Sequence, residues 1–271
     1  MTPIVITVLL LSVAAVSSVS IHRNGTKKME ESVSAKIEKA NANVNPGNLT
    51  YNLTYGDIIE HISDEEGILR DATPCFIIGC KWPKTGKEVI IPYEISRNFT
   101  KRLKRFIKDT LREFSSGERT TCIRFVRKTE IDINYLSFVS QNGCRSNLGQ
   151  IGGGQIIDLK RDKCMRKNIV QHEVLHALGF HHEHVRYDRN DYVTIKYENI
   201  KPGAKKNFDI APTNNMGAPY DYDSVMHYNA FSASKNGQPT IVAKYRSITH
   251  FGITTEMSDN DYARLNRLYE C

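Results

Sequence analysis

The chain has 271 residues, of which 40% are hydrophobic and 25% are charged, enough for one enzyme-sized domain and a preceding segment. Residues 1–70 carry 6 basic and 8 acidic side chains, whereas residues 71–271 carry 31 and 22, so the net charge of +7 resides in the second part. A basic domain favours acidic proteins, glycans or extracellular matrix as partners, or it is basic without a specific partner. No stacking motif or nucleic-acid-binding module is present, which argues against nucleic acid.

The N-terminus is apolar from Ile4 to Val16 and continues into small residues, with Ser17 and Ser20 among them. This run is too short to span a bilayer and predicts a secretory signal peptide over residues 1–20. No basic residue precedes the run, and a signal anchor is the alternative. No later stretch is long enough for a transmembrane helix, so we expect no membrane partner.

Residues 21–50 are polar and contain no aromatic residue, which predicts a poorly ordered leader. The stretch that follows, up to Arg70, is more structured in character. Arg70 is a single basic residue before Asp71 and predicts a site for an activating protease. The sequence therefore predicts a propeptide over residues 21–70 and a mature domain over residues 71–271.

Cysteines and glycosylation motifs indicate an oxidising compartment. An even number of cysteines after a signal peptide predicts three disulfides, although the sequence alone does not choose the pairing. The cysteines are Cys75, Cys80, Cys122, Cys144, Cys164 and Cys271. Four N-x-S/T motifs also favour secretion. Their asparagines are Asn24, Asn48, Asn52 and Asn98.

Hydrophobic periodicity places strands and helices along the mature domain. The predicted strands are Val89–Ile95, Cys122–Val126, Ile133–Val139 and Gln155–Leu159. The predicted helices are Lys101–Phe114, Lys167–Gly179 and Ser258–Tyr269. Pro92 indicates that the first strand is an edge strand. Ser258 and Asp261 suit a capping box at the start of the last helix.

The most informative stretch runs from His172 to His182 and has the pattern H-E-x-x-H-x-x-G-x-x-H. Residues four apart share one face of a helix, so His172 and His176 can direct their imidazoles to one point. Gly179 tolerates the left-handed conformation that turns the chain back, which lets His182 reach the same point. Such imidazoles, with room left for a water, make an open zinc site. Glu173 can then act as general base toward that water.

The alternative for this stretch is a core helix with two satisfied histidines. The added glycine and third histidine favour the zinc site, because they add no stability of their own. Spacing selects His182 as the third ligand, so we expect His181 and His184 beside the ligands or on the surface.

A second stretch, from Tyr220 to Tyr228, contains a methionine followed by a His-Tyr pair. This order predicts a turn beneath the metal. The flexible thioether of Met226 would fill an apolar floor under the imidazoles.

Together these two stretches resemble the astacin family of metzincin metalloendopeptidases. The resemblance runs from His172 through Arg189 and again over Ser224 to Tyr228, and it covers the domain from Asp71 onwards. Asn190 departs from the family pattern, which usually has Asp there. The resemblance implies an α+β, two-lobed domain. A twisted mixed sheet with helices would form the N-terminal lobe, and a largely irregular C-terminal lobe would end in a helix.

The resemblance also implies the site residues. One zinc ion per subunit is expected on His172, His176 and His182. Tyr228 would be a further, displaceable ligand whose hydroxyl stabilises the developing oxyanion. Glu173 would take the proton of the water and pass it to the leaving amine. Met226 would be the residue of the Met-turn.

Latency and activation follow from the same resemblance. The stretch Tyr55 to Ile58 is similar to the family element in which an aspartate occupies the water position on zinc, so Asp57 would hold the precursor inactive. After cleavage at Arg70, Glu183 would receive the new N-terminus at Asp71. A solvated carboxylate is the alternative for Glu183.

For the disulfides, the resemblance implies the pairs Cys122–Cys271 and Cys144–Cys164, which leaves Cys75–Cys80 as a local loop. That extra pair is similar to six-cysteine hatching-enzyme and nephrosin-like members. We therefore expect a monomeric protease outside the cell, released directly or stored in secretory granules.

The function expected is a secreted zinc endopeptidase made as a latent precursor. An extended polypeptide would bind along an edge strand after Cys144. A non-catalytic binding protein on a protease scaffold is the alternative class, although such a protein usually lacks Glu173 or a ligand. Egg-envelope hydrolysis and a digestive, immune or tissue role remain open.

Overall fold

The computed structural model describes residues 31–44, 51–61 and 80–271. These residues belong to one unit that begins at Glu31. The predicted signal peptide lies outside the described residues, as do several predicted site residues, namely Asn24, Asn48, Arg70, Asp71 and Cys75. Within the described ranges, no helix is both long and apolar enough to cross a membrane.

The first eight strands lie in two groups of four, separated by a helix, and regular elements become sparse after residue 177. The α-helices are α1 (Val33–Asn41), α2 (Lys101–Glu113), α3 (Lys167–Ala177) and α4 (Asp259–Tyr269). The strands are β1 (Tyr51–Thr54), β2 (Ile58–His61), β3 (Lys84–Thr85), β4 (Glu88–Ile95), β5 (Ile123–Arg127), β6 (Tyr135–Val139), β7 (Cys144–Asn147), β8 (Gly154–Leu159), β9 (Val193–Ile195) and β10 (Ile241–Ala243). Short 3-10 turns lie at Glu183–Val185, Arg189–Asp191, Tyr197–Asn199 and Pro202–Phe208.

One mixed sheet of eight strands has the order β1-β2-β7-β8-β6-β4-β3, with β5 paired to β4. The pairs β6–β8, β4–β6 and β4–β5 are parallel, whereas β7 is antiparallel to β8. β9 and β10 form a separate antiparallel pair. The prediction of an α+β domain with a mixed sheet is confirmed.

The predicted edge position of Pro92 is wrong, because β4 is paired along both edges. One edge pairs with β5. On the other edge, β3 pairs with Val89 and β6 pairs with Tyr93. Pro92 falls in the gap between these two pairings, where a residue without an N–H is tolerated.

The helices pack against this sheet through apolar faces. α2 begins after Thr100, whose side chain accepts from the Leu103 N–H, and it buries Ile107 and Leu111. α3 is buried from Asn168 to Ala177, so it is the central helix of the core. The capping box predicted for α4 is present, with Ser258 as N-cap and reciprocal hydrogen bonds to Asp261.

Two hydrophobic clusters divide the core. The larger lies between the sheet and the helices and includes Ile91, Phe138 and Val174. The smaller lies in the sparsely structured part of the chain and includes Phe208 and Tyr220. The Cys122–Cys271 disulfide joins the end of the chain to the start of β5.

The prediction of a poorly ordered leader over residues 21–50 is wrong for α1. Ser32 caps this helix by accepting from the Ala35 N–H. Val33, Ile37 and Ala40 lie on one face and are buried in the larger cluster. The polar composition of residues 21–50 did not indicate the apolar face of this helix. So short a helix is stabilised by tertiary packing, which composition does not show.

Candidate metal centre

The central helix α3 carries the first two histidines of the predicted site, and the chain reverses directly after it. The Phe180 N–H donates to the Leu175 carbonyl at 3.0 Å, which closes the end of the helix. Gly179 has a φ of +101°, the left-handed conformation that the sequence predicted there. This reversal brings His182 back against His172 and His176.

The three imidazoles converge through their Nε2 atoms. His172 and His176 Nε2 are 3.1 Å apart, and each lies 3.2 Å from His182 Nε2. Asp57 completes the group, because its carboxylate oxygens lie 3.2 Å from His172, 3.6 Å from His176 and 3.3 Å from His182. All four side chains are buried.

The Nδ1 atoms fix which ring nitrogen faces inward. His172 Nδ1 donates to the Val225 carbonyl at 2.9 Å, and His176 Nδ1 donates to the Phe180 carbonyl at 2.7 Å. The Nε2 atoms of these two rings therefore present lone pairs. His182 Nδ1 has no hydrogen-bond partner among the described residues. Burial lowers the pKa of His176 to about 4, which keeps its imidazole neutral.

This donor set fits a zinc ion. Neutral imidazoles and a carboxylate that meet in a buried space repel one another unless a cation lies between them. Tetrahedral zinc with Zn–N bonds of about 2.0–2.1 Å separates its nitrogens by about 3.3 Å, close to the observed spacing. The three histidines and Asp57 are therefore the residues that would hold the metal.

Glu173 lies beside this group and is fully buried. Neither of its carboxylate oxygens has a hydrogen-bond partner in the described part of the chain. Burial, followed by the nearby Asp57 carboxylate, raises the pKa of Glu173 well above its usual value. A buried, unpartnered carboxylate is destabilising, so its position beside the imidazoles points to a chemical role rather than a structural one.

Tyr228 packs against His182, with ring centroids 4.7 Å apart, and its hydroxyl is bound by the segment that supplies Asp57. Its hydroxyl donates to the Tyr55 carbonyl, and its ring stacks on His184 with centroids 3.9 Å apart. Burial raises the pKa of Tyr228 well above its usual value. His184 is also buried, and its Nε2 donates to the Asn207 carbonyl at 3.0 Å. His184 therefore supports Tyr228, whereas His181 packs edge-on against Tyr55.

The turn around Met226 lies under the imidazoles and is fixed by a residue that the sequence did not assign to the site. Asp261 of α4 accepts from the Ser224 hydroxyl at 2.6 Å and from the Val225 N–H at 2.9 Å. The same turn presents the Val225 carbonyl to His172. Met226 is buried, and its carbonyl accepts from the Glu183 N–H at 3.0 Å.

Glu183 is buried and paired with two arginines, so the alternative of a solvated carboxylate is wrong. Its Oε1 accepts from Arg186 Nη1 at 3.0 Å, and Arg264 contacts both of its oxygens. These residues line a cavity of about 260 Å³ that also borders His182. Asp71, the predicted partner of Glu183, lies outside the described residues. Arg264 could not be found from the sequence, because nothing local links it to Glu183, which lies 81 residues away.

The strand β7, predicted as the peptide-binding edge, is covered here by β2. The two pair in parallel, with Ile58 opposite Ser146, and the Ser146 N–H donates to the Asp57 carbonyl at 3.0 Å. A buried ion pair supports the start of β7, where Arg145 Nη2 lies 2.9 Å from Asp158 Oδ2. The sequence did not single out this pair.

The remaining predicted residues fall in several places. The structure contains Cys122–Cys271 and Cys144–Cys164, the pairs that the resemblance implied. Cys80 is disulfide-bonded, and its predicted partner lies outside the described residues. Asn52 and Asn98 are exposed. Asn190 accepts from Arg189 Nε at 2.8 Å, a local hydrogen bond at the position that departs from the family pattern.

A buried triad of imidazoles beside an unpartnered carboxylate defines a metal-dependent hydrolase. Comparison with known proteins gives the family. A family model described as Astacin, a peptidase family, matches residues 79–270. The chain belongs to the astacin family and is a zinc metalloendopeptidase that acts on polypeptides.

Individual relatives support this assignment. The low choriolytic enzyme of Oryzias latipes is 40% identical over 205 residues, which are 74% of this chain and 74% of that protein. Zinc metalloproteinase nas-14 of Caenorhabditis elegans is 40% identical over 196 residues, 70% of this chain but 37% of that longer protein. The structure of high choriolytic enzyme 1, a hatching enzyme zinc-protease from Oryzias latipes, matches with a TM-score of 0.69 at 40% identity. That match covers 74% of this chain and 100% of the chain of high choriolytic enzyme 1.

Proposed function

We propose that this protein is a secreted endopeptidase made as a latent precursor, in which Asp57 blocks the metal site. One observation carries the proposal. The Asp57 carboxylate lies 3.2 to 3.6 Å from all three histidine Nε2 atoms, so it would take the place of a water on a metal bound there. Residues 21–70 are then the prosegment, and α1 with the β1–β2 hairpin is the part of it that docks onto the protease domain.

In the active enzyme, His172, His176 and His182 would hold the zinc ion. When bound, zinc supplies Lewis-acid chemistry, because its charge lowers the pKa of a water and polarises the scissile carbonyl. Glu173 is the general base. Its carboxylate is next to the first ligand and has no hydrogen bond to the described protein, so it is available to accept a proton and donate it to the leaving amine.

Tyr228 becomes available when the prosegment leaves. Its hydroxyl now donates to the Tyr55 carbonyl, and removal of the hairpin frees that donor beside the imidazoles. A phenol with a raised pKa stays protonated at neutral pH, so it can donate a hydrogen bond to the oxyanion that develops on the substrate.

Removal of the prosegment also frees β7 as an edge strand. The backbone of β7 that now pairs with β2 would pair with an extended peptide, as in other cases of strand addition. The cleavage that starts this change is proposed at Arg70, which would create a new N-terminus at Asp71 for Glu183.

Activity measured before and after cleavage tests the proposed function. The purified precursor should not hydrolyse casein, and the protein cleaved after Arg70 should do so in a zinc-dependent manner. Chelation should abolish the activity, and added zinc should restore it. Glu173→Gln keeps the shape of the side chain and removes the base, so the cleaved variant should bind zinc and lose at least about a hundredfold in kcat. An active precursor, or full activity of the variant, would contradict the proposal.

The substrates proposed are extracellular proteins. Support comes from the apolar N-terminus, the cysteines in disulfides, the two sequons whose asparagines are exposed, and relatives named choriolytic enzymes. Egg-envelope protein and matrix protein should therefore be compared as substrates of the cleaved enzyme. Preference for egg-envelope protein would favour a role in hatching, and preference for matrix protein would favour a digestive, immune or tissue protease.

A further inference from the structure

The outer side of the helix α2 carries a cluster of cations. It is opposite the side that buries Ile107 and Leu111 in the larger hydrophobic cluster. We call this surface the basic face, and its members are Lys101, Lys104, Arg105 and Lys108. Three of these side chains are exposed, and Lys104 is partly exposed. In the described part of the chain, none of the four side chains has a hydrogen bond or an ion pair.

The basic face is a row of charges along one side of the helix. Its members are three or four residues apart, a spacing that places side chains next to one another on a helix surface. At about 1.5 Å per residue, the row from Lys101 to Lys108 is about 10 Å long. Further positive charge lies at the start of the helix, where Arg161 Nη1 donates to the Asn98 carbonyl at 3.0 Å. A linear polyanion could therefore meet several cations in succession.

This distribution of charge opposes the stability of the helix on its own. Like charges three or four residues apart repel one another, and each member of the basic face has another member at that distance. The first turn contains no acidic residue, although the helix dipole favours anions there and disfavours cations. An anion bound along the basic face would relieve both effects.

The acidic residues of α2 lie toward its other end and are already paired. Asp109 pairs with Arg112, and Glu113 lies 2.9 Å from Lys167 Nζ. Glu113 also accepts from Gln171 Nε2 at 3.2 Å, which joins this end of α2 to α3. Because these carboxylates have partners of their own, they do not neutralise the basic face.

The composition of the basic face favours a sulfated polysaccharide over other polyanions. Leu103 and Phe106, the apolar residues between the cations, pack against the larger hydrophobic cluster, so they are not available to insert into a lipid bilayer. The helix has no exposed aromatic ring on which a nucleic-acid base could stack, or which could anchor an acidic protein. Segments rich in lysine and arginine are typical of heparin-binding patches.

We propose that the basic face binds a sulfated polysaccharide and thereby holds the protein on cell-surface or matrix glycans. This inference goes beyond the proposed function and shares with it only the location outside the cell. α2 packs against α3 and β5, whereas α1 of the proposed prosegment packs against α3 and β7. The precursor and the cleaved enzyme should therefore bind the polysaccharide equally.

Binding of the purified precursor to heparin tests the basic face. The variant Lys101→Gln/Arg105→Gln/Lys108→Gln removes three charges and introduces residues of similar helix propensity. At physiological ionic strength, its Kd for heparin should be about ten- to a hundredfold above that of the wild type. The slope of log Kd against log salt concentration should decrease in magnitude by about two to three, because three cations no longer displace counterions.

Two further variants separate the basic face from net charge and from an altered fold. Lys205, Lys235 and Lys244 are exposed and scattered along the chain, and their joint replacement by Gln removes the same net charge. That variant should keep a Kd within about twofold of the wild type, because salt screens charges outside the contact. Lys101→Arg/Lys108→Arg keeps the charges at two of the same positions and should bind heparin as the wild type does.

Several outcomes would overturn the proposal. Equal weakening by the two triple variants would show that binding follows net charge. Binding to desulfated heparin or to poly-glutamate as tight as binding to heparin, or a preference for phosphatidylserine vesicles, would assign the face to another class of partner. These measurements use no hydrolysis, so their failure is distinguishable from failure of the proposed peptidase function.

Discussion

Replacement of Asp57 by asparagine should turn the latent precursor into a partly active one. The variant keeps the shape of the side chain and removes the negative charge that faces three histidine nitrogens. It leaves the hydrogen bond from the Ser146 N–H to the backbone at residue 57 in place, together with the contacts of α1. The change therefore isolates the carboxylate from the rest of the docked prosegment.

The size of the effect follows from the burial of the group. Asp57 is 1% exposed, so its interaction with a metal centre is not screened by solvent. Removal of one partner from a buried charged group costs about 3–5 kcal/mol. At about 1.4 kcal/mol per tenfold, this corresponds to a rise of roughly 100- to 3,000-fold in the ratio of open to blocked precursor.

The assay compares uncleaved precursor, wild type and Asp57→Asn, on one short fluorogenic peptide, with the Arg70 site mutated so that cleavage does not contribute. Both proteins should have equal activity once the prosegment is removed through an engineered cleavage site, which is the control for an intact catalytic site. If the uncleaved variant is as inactive as the uncleaved wild type, the role given to the carboxylate is wrong. Latency would then come from the backbone of the hairpin that pairs with β7.

Three further outcomes are expected. Gly56→Ala should weaken latency and raise the peptidase activity of the precursor severalfold. Gly56 has a φ of +92°, and an added Cβ would lie 2.9 Å from the Tyr228 hydroxyl. Unchanged activity would show that the hairpin accommodates the added Cβ without leaving the site. Burial raises the pKa of Asp261 to about 6, so its ionisation opposes folding. The difference in the free energy of unfolding between wild type and Asp261→Asn should favour wild type most below about pH 4 and should decline by up to about 3 kcal/mol as pH rises through 6. Urea unfolding at several pH values measures this difference, and a difference that does not change with pH would exclude the ionisation. Zinc chelation should lower the melting temperature of the precursor as well as abolish activity of the cleaved enzyme, since the buried donor set is left without its cation; calorimetry that shows no shift would contradict the assignment of the site.

The convergence of the three candidate zinc ligands could be predicted because its signal is local. His172 and His176 are four residues apart on one helix, and Gly179 explains how His182 returns to them. The same holds for the capping box of α4, which depends on residues three apart. In each case the geometry of a helix or its end converts sequence spacing directly into proximity.

The support around the site could not be predicted, because it depends on long-range contacts. Asp261 fixes the turn at Val225 across 36 residues, and Arg264 meets Glu183 across 81. A buried charged pair such as Arg145 with Asp158 has the same residue types as a solvated one. The prediction of disorder around α1 was wrong for a related reason, since Val33 and Ile37 gain their stability from a surface elsewhere in the chain.

The Cys122–Cys271 disulfide closes a covalent ring across 149 residues, and all three histidines and Tyr228 lie inside that ring. Asp57 lies outside it and earlier in the chain. A ribosome therefore completes the β1–β2 hairpin well before Cys271 exists, and the ring cannot close until that residue has been made. By the time the part of the chain with the candidate zinc ligands is closed by its disulfide, the segment with Asp57 has long been available to fold with it. If Asp57 is the latency switch proposed above, the order of synthesis means that no closed ring is made without the blocking carboxylate already attached to it.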